Sequence, residues 1–124
     1  MKPDRNIFAL LLGALRLPGA GAFAAPQLAT RVLALERGPH SAYLVRLFAA
    51  RNVALTAGLL LSAPPARRLW WQTGVACDAL DVAAGLLALR EGKATSSALV
   101  DVGAAGLATA LGLAGLLADR SAAR

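Results

Sequence analysis

Apolar residues along the chain gather into four long runs, covering about residues 7–25, 41–63, 69–89 and 98–118. Each run is close to the ~20 residues that an α-helix needs to cross hydrocarbon. The breaks between them carry the expected punctuation. Gly38-Pro39 precedes the second run and Pro64-Pro65 closes it, because proline does not continue a helix cheaply. Arg67 and Arg68 mark a return to water, as do Arg90, Glu91, Gly92 and Lys93 after the third run. Asp119, Arg120 and Arg124 follow the fourth. The pattern predicts a single all-α domain over residues 1–124, a four-helix transmembrane bundle.

Two segments read in more than one way. In residues 26–40, Leu28, Val32 and Leu35 recur at i, i+4 and i+7, while Arg31, Glu36 and Arg37 are polar. That is a short amphipathic pattern, open to a helix lying on a membrane surface or to an ordinary polar loop. At the N-terminus, Lys2 and Arg5 precede the apolar run 7–15, which imitates a secretory signal. Arg16 interrupts that run and Pro18-Gly19 follows, so an uncleaved first helix is expected.

Composition strengthens the membrane reading. The 124 residues are 57% hydrophobic and 16% charged, against about a quarter charged in soluble domains. Mean hydropathy is +0.58. Ala, Leu and Val dominate, with 12 glycines and only 5% aromatics. Small residues recur every fourth position at Ala50, Ala54 and Gly58, and again at Gly106, Ala110 and Ala114. Such stripes permit close helix approach in lipid.

The formal charge of +6 would raise nucleic acid as a partner for a soluble protein. Here the basic residues mostly lie between the runs or at the ends, where they set topology, and no nucleic-acid partner is expected. With four spans both termini share one side, which carries Lys2, Arg5, Arg67, Arg68, Arg120 and Arg124. The other side carries Arg31, Arg37, Arg90 and Lys93. The excess places both termini in the cytoplasm, in a plasma-membrane protein. Trp70 and Trp71, beside Arg67-Arg68, are expected as interfacial anchors.

The informative residues are charges inside the runs: Arg16 in the first, Arg46 and Arg51 in the second, Asp78 and Asp81 in the third, Asp101 in the fourth. Each costs about 2.5 to 3.5 kcal/mol at a helix centre on insertion scales, so something must offset them. Three arginines against three aspartates balance. Counting about 1.5 Å per residue brings Arg16, Arg51, Asp78 and Asp81 to one midplane cluster, with Arg46 and Asp101 as an outer pair. Asp78 and Asp81 are three apart and share a helix face. Asp78 with Arg51 is the couple singled out for a double-substitution test, and Asn52, Thr56 and Gln72 are candidates to satisfy remaining donors. Three roles stand open for the cluster: an ion-pair network fixing helix register, a polar pocket for a small ligand or lipid headgroup, or a proton or ion pathway. Arginines beside the aspartates oppose the last by favouring their charged form.

No catalytic residue is assigned. There is no HExxH, no GxSxG and no Walker-type loop. The single Gly19-Ala20-Gly21 has no preceding strand. One cysteine, Cys77, and one histidine, His40, supply neither a disulfide nor a metal or haem site, so no cofactor or metal is expected. Cys77 reads as a small packing residue.

The stretch Arg46–Gly58, R-LFAA-R-NVALTAG, followed by Asp78-Ala-Leu-Asp81-Val, resembles small bacterial four-span membrane proteins of undetermined role. It is loosely similar to the DoxX-like group in size and hydropathy. The resemblance covers about residues 41 to 90. It implies a membrane-embedded four-helix bundle, and its DoxX-like side implies an accessory role near a redox or quinone system. The resulting expectation is a non-enzymatic bundle whose Arg/Asp network organises the helices and holds a ligand, lipid or partner subunit, its partners being lipids, copies of itself or another membrane protein. The competing expectation is an enzyme or transporter accessory component using an Asp78/Asp81 pocket.

Overall fold

In the computed structural model the described residues are 7–32, 39–92 and 96–122, and among them all regular secondary structure is helical. Five helices follow one another: α1 (Ile7–Gly21), α2 (Pro26–Val32), α3 (Pro39–Leu61), α4 (Pro64–Arg90) and α5 (Ser96–Ala122). Three of them are long and apolar enough to cross a membrane, over Ser41–Leu61, Pro64–Arg90 and Val102–Ser121.

The first apolar run behaves differently from the other three. Instead of one helix over 7–25, α1 stops at Gly21, and turns at Phe23 and Ala24 lead into α2. Pro18 lies inside α1. Its missing N–H and the glycines at 19 and 21 weaken the last turn, and Pro26 then suits the first turn of a new helix. At 15 residues, α1 is about 22 Å long, short of the ~30 Å of a bilayer's hydrocarbon. The segment left open between loop and surface helix is helical over Pro26–Val32. Leu35, Glu36 and Arg37 lie outside the described residues.

Pro64-Pro65 also does more than end the second run. The pair opens α4, with Pro at its first positions and Ala63 as an extended N-cap. A proline there gives up only an N–H that the helix leaves unpaired anyway. Arg67 is therefore already helical, its N–H donating to the Ala63 carbonyl at 2.8 Å. The Arg67 guanidinium reaches back to the Ser62 carbonyl at 3.2 Å, just past the end of α3. At the far end of α4, the Glu91 N–H donates to the Leu87 carbonyl and that of Gly92 to Leu89. Gly92 takes φ 76°, a left-handed conformation that suits glycine at a helix end.

The helices form a ring. α1 packs on α3 and α5, and α4 packs on α3 and α5, so α1 and α4 sit on one diagonal and α3 and α5 on the other. α2 packs on α3 alone. Neighbours run antiparallel. Along α1 and α3, Gly13 faces Thr56 and Leu60 while Gly19 faces Phe48 and Asn52. Along α4 and α5, Gly85 faces Val102, Val75 faces Gly112 and Trp71 faces Gly115.

Glycines set how closely these helices approach. A Cβ on Gly115 would fall 2.2 Å from the Trp71 ring, and one on Gly58 would fall 2.2 Å from Trp70. Both tryptophans therefore lie over notches in neighbouring helices. Their rings, expected as interfacial anchors, are turned toward neighbouring helices. Trp71 is 1% exposed and centres the main core cluster with Ala9, Leu12, Leu59, Ala108 and Leu116, while the partly buried Trp70 packs on that cluster. Proximity to arginines in sequence indicated the helix end but not the direction of the rings.

Much of the exterior is apolar. Leu44, Leu61, Leu80, Leu99 and Leu117 are all at least 60% exposed. Inside, by contrast, Arg16, Thr30, Asn52 and Asp78 are buried. Exposed leucines around a buried Arg16–Asp78 pair depart from the arrangement of a water-soluble domain and fit a lipid surround.

Candidate functional site

The charges expected at one depth resolve into two ion pairs with different settings. Arg16 projects from α1, where it faces the bundle, and its Nη2 donates to Asp78 Oδ2 of α4 at 2.6 Å. The side chains are 4% and 7% exposed. Because α1 and α4 are diagonal rather than adjacent in the ring, this pair crosses its centre.

What makes room for that crossing is a glycine. Gly74 lies one turn before Asp78 on α4, and a Cβ there would stand 3.2 Å from Arg16 Nη2. The guanidinium thus rests over bare backbone on its way to the carboxylate. On the α1 side, Gly13 lies against Thr56 and Gly19 against Asn52. Arg16 sits between these two glycines, so α1 approaches α3 closely on both sides of the charge. Gly74 was missed at the sequence level. The signal available was its i−4 spacing from Asp78, which puts it on the same helix face.

The second pair joins neighbouring helices. Arg51 of α3 donates from Nη1 to Asp81 Oδ1 at 3.0 Å and from Nη2 to Asp81 Oδ2. This is the bidentate fork that matches guanidinium to carboxylate. The Arg51 guanidinium also lies 5.0 Å from the centre of the Phe48 ring, within cation–π range. Its side chain is 34% exposed and that of Asp81 31%, so the pair borders the outside of the bundle. Arg51 takes Asp81, and Asp78 takes Arg16. The couple Asp78 with Arg51, chosen for the double-substitution test, is not a hydrogen-bonded pair.

Of the remaining candidates, Arg46 is exposed on α3, and the side chain of Asp101 lies outside the described ones. Asn52 Nδ2 donates to its own helix, at the Phe48 carbonyl, 3.0 Å away. Gln72 is exposed on α4. Thr56 Oγ1 is buried without a hydrogen-bond partner, as are Arg16 Nε, Arg51 Nε and Trp71 Nε1. Cys77 is a partly buried free thiol. No group of three or more His, Cys, Asp or Glu able to hold a metal ion occurs among the described residues.

Chemically, the arrangement neutralises one arginine and one aspartate inside the bundle and a second such pair at its edge. Comparison of the chain with family models, with curated proteins and with solved structures found no match. The class defined by the fold is therefore the extent of identification: an all-helical bundle with three helices of membrane-spanning length and apolarity and paired internal charges.

Proposed function

We propose that the chain is an integral membrane protein in which four helices, α1 included, cross the bilayer, and that its Arg/Asp pairs lock the helices in register for a non-enzymatic role as a membrane bundle or subunit. One observation carries this reading. The Arg16–Asp78 pair is almost wholly buried and ties together two helices that stand on opposite corners of the ring, their backbones not in close contact. A lone arginine or aspartate in hydrocarbon is costly, and pairing offsets that cost. Paired charges also specify partners, since each side chain accepts few alternatives.

The position of α1 supports a fourth crossing despite its length. Gly13 meets Leu60 near one end of α3, and Ala22 shares a core cluster with Val45 near the other. From Gly13 to Ala22 the chain accompanies most of the apolar length of α3. The excess of basic residues on the terminal side supports cytoplasmic termini in a plasma membrane.

The test is fractionation followed by replacement of the central pair. The chain should stay with membranes through alkaline carbonate washing. Arg16→Gln alone should lower its level strongly, whereas Arg16→Met with Asp78→Leu should recover much of it, because an apolar pair leaves no orphaned charge. Release of the native chain into the aqueous fraction would refute membrane integration. Equal loss in the single and double variants would refute the structural role of the pair.

A second reading, an enzyme or transporter accessory component of the DoxX-like kind, draws on the unpartnered donors Arg16 Nε and Trp71 Nε1. Buried donors without acceptors are uncommon, and an acceptor-bearing ligand such as a quinone carbonyl would satisfy them. Co-purification of a quinone with the native chain, lost in Arg16→Met/Asp78→Leu, would favour that reading.

A further inference from the structure

We infer that the α3–α4 face carrying Arg51 and Asp81 docks against the same face of a second copy of this chain, forming a two-fold dimer within the membrane. The inference rests on the membrane reading above and adds the identity of a partner.

The argument begins with depth. Arg51 is the middle residue of the apolar span Ser41–Leu61, about 15 Å from either end. Yet a third of the pair's side-chain surface remains open to the outside of the bundle. Polar groups within a membrane span normally face the bundle interior or a water-filled cavity, and the Arg16–Asp78 pair does so. The Arg51–Asp81 pair requires a covering that reaches the middle of the bilayer. A lipid headgroup sits at the interface, and an anionic headgroup also gains little from a fork that is already neutral.

The charge layout selects the occupant. Arginine lies on α3 and aspartate on the adjacent α4, side by side around the bundle. Rotating this face by two-fold symmetry about the membrane normal brings each Arg51 opposite the partner's aspartate and each Asp81 opposite the partner's arginine. The face is thus self-complementary, as an isologous interface demands. Four charges would then alternate in sign around a closed square.

Shape agrees with charge. On α3, Leu47 and Ala54 are exposed and lie one turn to either side of Arg51. On α4, the exposed Ala84 lies one turn beyond Asp81. Alanines at those places let a partner's backbone come close enough for the charges to meet.

Two measurements in native membranes test the proposal. The first is Ala54→Cys in a Cys77→Ser background, treated with copper phenanthroline, beside Leu107→Cys on the exposed surface of α5. Dimer formation should exceed that of Leu107→Cys several-fold. Equal cross-linking at both sites, or none at Ala54→Cys, would overturn the interface. The second uses opposite charge reversals. Arg51→Asp and Asp81→Arg, produced separately, should each accumulate poorly. Produced together with different tags, they should restore each other and co-purify, since an all-aspartate face meets an all-arginine face. A native chain that stays in membranes but runs as a monomer, with or without a bound lipid or another protein at this face, would overturn the dimer and leave membrane integration standing. A chain found in the aqueous fraction would remove both.

Discussion

The two ion pairs are made from the same residue types, on helices of one bundle, yet they are held in different ways. Arg16 is enclosed on all sides and reaches Asp78 over the bare backbone of Gly74. Arg51 lies at the edge of the bundle, forked onto Asp81 with Phe48 beside it. Enclosure removes alternatives. If Asp78 loses its charge, the Arg16 guanidinium has no route to a headgroup or to water. If Asp81 does, in a single copy separated from its partner in detergent, the long Arg51 side chain is free to swing outward and extend along the bundle surface. The central pair therefore behaves as a fixed part of the core and the peripheral pair as an adjustable one.

The largest expected effect follows from that contrast. Asp78→Asn should destabilise the chain by about 3 to 5 kcal/mol, as breaking a buried pair typically does. Asp81→Asn should cost less, because a displaceable charge relaxes. Thermal unfolding of the two variants in one detergent, with membrane levels as a check, measures the ordering. Equal losses would show that both arginines are trapped alike and would dissolve the distinction between centre and edge.

How much of this was readable from the linear chain depends on direction. The apolar runs at 41–63, 69–89 and 98–118 fall on α3, α4 and α5, with the start of α4 five residues earlier because Pro64-Pro65 opens that helix. Depth follows from counting along a helix, and it drew Arg16, Arg51, Asp78 and Asp81 together. The angle around the bundle does not follow from counting. Whether Asp78 meets Arg16 or Arg51 depends on which helices are diagonal, and that depends on packing. The direction of the tryptophan rings is hidden for the same reason. Trp70 and Trp71 are adjacent to arginines in sequence, but the glycine notches that receive them lie on α3 and α5. The short first helix was obscured because Pro18, Gly19 and Gly21 leave the hydropathy of 7–25 high while weakening its helix.

A middle-sized effect probes the packing that supports the central pair without touching a charge. Gly115→Ala puts a methyl group 2.2 Å from the Trp71 ring. That ring belongs to the cluster containing Leu12, one turn before Arg16 on α1. Overpacking of this kind costs about 1 to 3 kcal/mol. If the ring shifts, α1 should shift with it and the central pair should loosen while the peripheral pair does not. Gly115→Ala combined with Asp78→Asn should then cost less than the sum of the two, and Gly115→Ala combined with Asp81→Asn should be additive. Additivity in both combinations would show that Trp71 packing and the central pair are independent.

The smallest effect serves as the control for the others. Gly92 ends α4 with φ 76°, and a Cβ there meets nothing within 4 Å. Gly92→Ala therefore introduces backbone strain and no clash, worth roughly 1 kcal/mol. Both aspartates, Asp78 and Asp81, lie on α4, the helix that this turn follows. A loss at Gly92 should weaken the two pairs equally, which neither the charge variants nor Gly115→Ala should do. Unfolding midpoints of Gly92→Ala combined in turn with Asp78→Asn and with Asp81→Asn should fall by the same increment below each parent. A larger fall with one parent would mean that the α4–α5 turn supports one pair preferentially, and that the difference between centre and edge originates in the hairpin rather than in enclosure.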